Sequence, residues 1–141
     1  MQLLTNLDKS CLPCVLLIIV ASLSSCAETR SRLNEVGAQS SIRLIRKAET
    51  IYRSQNDRNR FGTLQDLHSG NLIDAELASG TKRGYRFDVR VGKDSYTTTA
   101  VPLEYDVTGS WSFYVDESGV IRGSPTKGRP PGVNDAPIKD Q

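Results

Sequence analysis

The side chains able to do chemistry are few and scattered. His68 is the only histidine of the 141 residues. With no second His and no free Cys nearby it belongs to no transition-metal constellation, and a histidine on a surface loop is expected. Asp94, Glu104, Asp106, Asp116 and Glu117 are oxygen donors of the kind a hard cation such as Ca²⁺ takes. Their spacing fits no cation-binding loop, so they read as solvated turn carboxylates. No serine stands in a Gly-x-Ser-x-Gly elbow, and no glycine-rich phosphate loop occurs. Cys11-Leu12-Pro13-Cys14 has the spacing of redox and metal motifs, but that chemistry needs a folded scaffold, which an apolar leader does not supply. Lys82, Arg83, Arg86 and Arg90 lie close in sequence; alternation with Tyr85 and Phe87 makes them the wet face of a strand. With 18 Lys+Arg against 16 Asp+Glu, the formal charge is only +2, which argues against a nucleic-acid partner. These residues point to no enzyme, no cofactor and no metal; an enzyme or small-ligand carrier, the least favoured alternative, would need a polar pocket that no cluster in the sequence builds.

The elements that would position them begin with a leader. Met1 to Ser10 is polar with one Lys, Leu12 to Leu23 is almost wholly apolar, and the small residues Ser24 and Ser25 lead into Cys26. That order is the order of a secretory signal peptide. A membrane-spanning helix needs about 20 apolar residues, which this run falls short of; an uncleaved anchor is the alternative. Leu23-Ser24-Ser25-Cys26 resembles the lipobox of bacterial lipoproteins. The resemblance implies lipidation of Cys26 as the first mature residue, with acyl chains enough to hold the chain on a membrane. Ala27, in place of Asp, implies delivery to the outer membrane, facing the periplasm or the cell surface. Cys11 and Cys14 leave with the leader, so a mature chain has no intramolecular disulfide.

Residues 26–34 are polar and read as a tether. Between Ser40 and Gln55, Leu44, Ile45, Ala48, Ile51 and Tyr52 recur at helical spacing, with Arg43, Arg46, Lys47, Glu49 and Arg53 toward water and Glu49 placed to pair with Arg53. Thr63 is a candidate N-cap with Asp66 in the first turn, and Asp74 to Ser79 reads as one helical turn closed by Gly80. From Gly84 the period becomes two: Tyr85, Phe87, Val89 and Val91 point one way and Arg86, Asp88 and Arg90 the other. Gly92-Lys93-Asp94 turns this strand into Tyr96 to Val101. A third strand is expected over Ser110 to Val115, and a fourth over Val120 to Arg122 after the turn Asp116-Glu117-Ser118-Gly119. Residues 124–141 hold four of the six prolines and almost no large apolar side chain, so disorder is expected there.

The helix segment Ser41-Ile42-Arg43-Leu44-Ile45 with Ala48-Glu49-Thr50-Ile51-Tyr52 resembles the helix of type IV pilins and type II secretion pseudopilins. Leu72-Ile73-Asp74, Leu77-Ala78-Ser79-Gly80-Thr81-Lys82, Gly84-Tyr85-x-Phe87, and Ser112-Phe113 with Asp116-x-Ser118-Gly119-Val120-Ile121-Arg122 resemble the loop, first strand and terminal hairpin of the same group. The chain departs from a prepilin in lacking the Gly before the cleavage point, the Glu five residues after it, and about twenty apolar residues beyond. The resemblance implies an α+β fold, one long N-terminal helix packed on a 3–4-stranded antiparallel sheet over about residues 35–123, without the apolar half-helix of pilins. It also implies a surface setting, with other envelope proteins or pilin-like subunits as partners. Trp111 and Tyr114 are read as of opposite parity to Phe113, so at least one of them is expected to face away from the core as an interaction surface; the alternative is that the Leu103–Thr108 loop covers Trp111.

Overall fold

A computed structural model describes residues 12–56, 59–127 and 129–139, with side chains of the first helix from Glu28 onward. The leader (residues 1–25) and the lipidation candidate Cys26 therefore lie outside the described side chains. Helix α1 (Leu12–Gln55) is followed by two short helices, α2 (Leu64–Ser69) and α3 (Ala75–Ala78). Five strands complete the domain: β1 (Thr81–Lys82), β2 (Tyr85–Val91), β3 (Tyr96–Pro102), β4 (Trp111–Asp116) and β5 (Arg122–Pro125). They form one antiparallel meander in the order β1-β2-β3-β4-β5. This is the expected α+β arrangement with one more strand.

The extra strand is β1. Thr81 pairs with Arg86 and Lys82 with Tyr85, leaving Arg83 and Gly84 as a two-residue turn. Both have positive φ, 48° and 76°, the geometry that matches the twist of a tight hairpin. Glycine meets that demand freely; arginine does so at a cost, which is why the pair carries no ordinary turn signal in the sequence.

Residues 26–34 are helical, contrary to the tether reading, because Ala, Glu, Arg and Leu there are good helix formers whatever their polarity. Two side chains at the end of this stretch fasten the rod to the sheet. Asn34 Nδ2 donates to the Thr108 carbonyl at 3.0 Å, and Glu35 Oε1 accepts from the backbone N–H of Ser110 (2.7 Å) and Trp111 (3.2 Å).

Beyond them, α1 lies across β3 and β4. Ala38, Ile42, Ile45 and Ala48 are buried with Tyr85, Phe87, Ala100, Phe113 and Val115. The alternation predicted for β2 holds over its first half, where Tyr85 and Phe87 are buried between exposed Arg86 and Asp88; Val89 is only half-buried and Val91, expected inward, is exposed at the strand's end. Tyr85 also reaches its hydroxyl to the Trp111 carbonyl at 2.8 Å. A Cβ at Gly109 would sit 2.1 Å from that hydroxyl oxygen, so only glycine fits.

The first loop helix carries its expected cap at Thr63, and Asp74 supplies a second that the sequence reading did not assign. Thr63 Oγ1 accepts from Asp66 N–H while Asp66 Oδ2 accepts from Thr63 N–H, and Asp74 Oδ1 accepts from Leu77 N–H. The loop helices bring Leu67, Ile73 and Leu77 into the core.

The tail, expected to be disordered, is folded. Gly123 N–H donates to the Ala136 carbonyl and Ile138 N–H to the Ile121 carbonyl, so Ala136 to Ile138 lies along the free edge of β5. Asp135, 8% exposed, accepts from Ser124 Oγ (2.8 Å), Arg129 Nη2 (2.6 Å) and Gly132 N–H (2.8 Å). Polar bonds and one apolar anchor, Ile138, hold what composition alone leaves unfolded, and the prolines reduce the entropy lost on ordering.

Candidate interaction surfaces

Trp111 and Tyr114 do not form one surface. Three residues apart on β4, they belong to opposite faces of the sheet. Trp111 shares the inward parity of Phe113 and Val115 yet is 40% exposed at the first residue of the strand. It lines a shallow groove of about 300 Å³ with Glu35, Gln39 and the tail residues Ala136 to Ile138. Tyr114 is half-buried on the outer face, and its hydroxyl donates to Asp116 Oδ2 at 3.1 Å.

The helix presents a second apolar surface that sequence periodicity placed partly inside. Leu33 (64% exposed), Val36 (61%) and Leu44 face away from the sheet. The buried stripe follows Ala38, Ile42, Ile45, Glu49 and Tyr52, and Leu44 stands about 100° around the helix from Ile45. On the same helix, Arg46 Nη1 donates to the Gly119 carbonyl at 2.9 Å, tying α1 to the β4–β5 turn.

Glu49 overturns the water-facing expectation and its ion pair with Arg53. It is fully buried, four residues after Ile45 and seven after Ile42, a spacing that places it on the apolar stripe despite its charge. Oε2 accepts from the Gly62 N–H at 2.9 Å, whereas Oε1 has no hydrogen-bond partner. Burial pushes its carboxyl up to about 7, against the opposing Gly62 bond and with help from the Asp66 charge. Arg53 instead lies over the Phe61 ring, 4.7 Å from its centroid, and donates to Asn59 Oδ1.

The remaining candidates are dispersed. His68 sits on α2, half-buried, with Nδ1 3.1 Å from the Ile73 carbonyl, so it fastens the following loop. Asp116 takes hydrogen bonds from Ser118 and Tyr114; partial burial opposes ionisation there, but these bonds hold the carboxyl below its ordinary range. Among the described residues, no three His, Cys, Asp or Glu side chains gather where they could hold a metal ion. Among the same residues, no helix is long and apolar enough to cross a membrane.

No protein-family model, curated protein or solved structure matches the chain.

Proposed function

We infer that this chain is a non-enzymatic, lipid-anchored protein of the bacterial cell envelope, whose pilin-like head is a structural or protein-interaction module accessory to a type IV pilus or type II secretion system. The observation that supports the interaction role most directly is the outward stripe of Leu33, Val36 and Leu44 on α1, apolar side chains left in water beside a well-packed core. The stripe lies on the helix that leads back to Cys26, so an anchored chain would hold it close to the membrane. A lipid at Cys26 supplies the anchoring that the apolar half-helix supplies in pilins.

Metabolic labelling with a radioactive fatty acid tests the anchor. Label should enter the wild type in the membrane fraction and be lost in Cys26→Ala. Unlabelled wild-type protein, or label that survives the substitution, would overturn this reading. For the interaction role, a photo-cross-linker at Ser40, within the stripe, should capture an envelope protein in intact cells, and Val36→Glu should abolish the adduct; an adduct indifferent to Val36→Glu rejects the stripe as the contact.

A further inference from the structure

The face of the sheet turned away from α1 carries a groove of about 440 Å³, within the range of about 300–1,000 Å³ usual for small-molecule sites. One side is formed by the outward residues of β2, Arg86, Asp88 and Arg90. The other is formed by the tail, which reaches β4 through a buried hydroxyl pair, Ser112 Oγ to Thr126 Oγ1 at 2.8 Å. Thr99 of β3 and Tyr105 lie between them. The groove exists because the tail is folded.

Its charge is unbalanced at one point. Arg90 Nε is paired with Asp88 Oδ2 at 2.8 Å, and Arg129 with the buried Asp135. The side chain of Arg86 makes no hydrogen bond or ion pair among the described residues. Its cross-strand neighbours, Thr81 on β1 and Val101 on β3, carry no charge. A guanidinium left without a carboxylate beside hydroxyls and a tyrosine ring is a receptor for a planar anion, which it can take by two parallel N–H donors.

The backbone narrows the class of ligand. The backbone N–H and C=O groups of β2, β3 and β4 lie in the plane of the sheet, where they pair between neighbouring strands, so a peptide laid over this face would find no main-chain donors or acceptors pointing toward it. Recognition falls to the guanidinium, to the hydroxyls of Thr99 and Tyr105, and to the apolar faces of the Tyr105, Pro130 and Pro131 rings. We propose that this groove binds a carboxylate-bearing saccharide, a uronic acid unit within one or two sugar rings, with its carboxylate on Arg86. The site is independent of the lipid anchor and of the α1 stripe.

The test is calorimetric titration of the full chain in detergent micelles with digalacturonate and with the glucuronate-containing disaccharide of hyaluronan. At least one should bind saturably, one to one. Arg86→Gln should weaken binding about tenfold or more, and Arg86→Lys, which keeps the charge but loses the paired donors, should weaken it less. Lys93→Gln, on the distant β2–β3 turn, should leave it unchanged. Arg86 is exposed, so both variants should unfold at the wild-type urea midpoint. The proposal is overturned if neither disaccharide binds, if the neutral galactobiose binds as well, or if Arg86→Gln has no effect. Equal affinity for tetraglutamate would reassign the groove to acidic peptides and equally overturn it.

Discussion

A carboxyl group with one hydrogen bond and an otherwise apolar setting makes Glu49 the residue most sensitive to pH in this domain. Its folded value of about 7 stands above the ordinary 4.5, so the folded state keeps a proton that the unfolded chain releases. Stability from this group is complete below about pH 4.5 and is lost as pH rises through 7, a change on the order of 3 kcal/mol. Glu49→Gln keeps an acceptor for Gly62 N–H and removes the ionisation penalty. It should raise the urea midpoint at pH 8, by about 1–3 kcal/mol in free energy, and change little at pH 4. A midpoint equal to the wild type at both values would show that Glu49 is solvated. The residue was legible in the helical spacing but hidden by its type, since charge argued for water where position argued for the core.

At the scale of elements, local chemistry was read most faithfully where one physical signal acted alone. The period-two pattern of Tyr85 to Asp88 and the cap of Thr63 with Asp66 needed no tertiary information. Strand β1 escaped because Arg83 takes a positive φ that its side chain disfavours, and only the pairing with β2 makes it hold. The tail escaped for another reason: its order rests on contacts with residues far from it along the chain, Ile138 against Gly123 and Phe113 among them. A Cβ on Gly123 would lie 2.6 Å from Ile138 Cδ1, so the seat for this side chain is shaped by the absence of one opposite. Ile138→Ala should cost about 1–2 kcal/mol and accelerate hydrogen exchange at Gly123 and Ile138, leaving the β2–β3 hairpin protected. Unchanged exchange at Gly123 would show that the tail does not hold the β5 edge. Acid acts on the tail oppositely to its action on Glu49. Burial opposes ionisation of Asp135, but bonds from Gly132, Arg129 and Ser124 hold its carboxyl below the ordinary range, so this contribution is present at neutral pH and lost as pH falls through the folded value.

For the molecule as a whole, the groove on the outer sheet face and the stripe on α1 point away from each other, so a partner on the helix leaves the groove open. Neither surface could be seen in the sequence: the groove needs the tail brought against β2 and β3, and the stripe emerges only once the core face is fixed by Ala38, Ile42 and Ile45. If Cys26 is anchored as proposed, α1 joins both surfaces to that anchor: it is helical from Cys26 through to Gln55 and clamped to the sheet by Asn34 and Glu35. A rigid helical stem transmits rotation as well as distance. Each residue between an anchor at Cys26 and the clamp raises the head by about 1.5 Å and turns it by about 100°. One alanine inserted after Arg30 should therefore swing the α1 stripe out of register and abolish the cross-link at Ser40, whereas four, adding roughly one full turn, should restore much of it at a greater height. A cross-link indifferent to either insertion would mean a swivelling stem. On that reading the stem would set an angular phase, with the side of the head turned toward a partner encoded in the number of residues between Cys26 and Asn34.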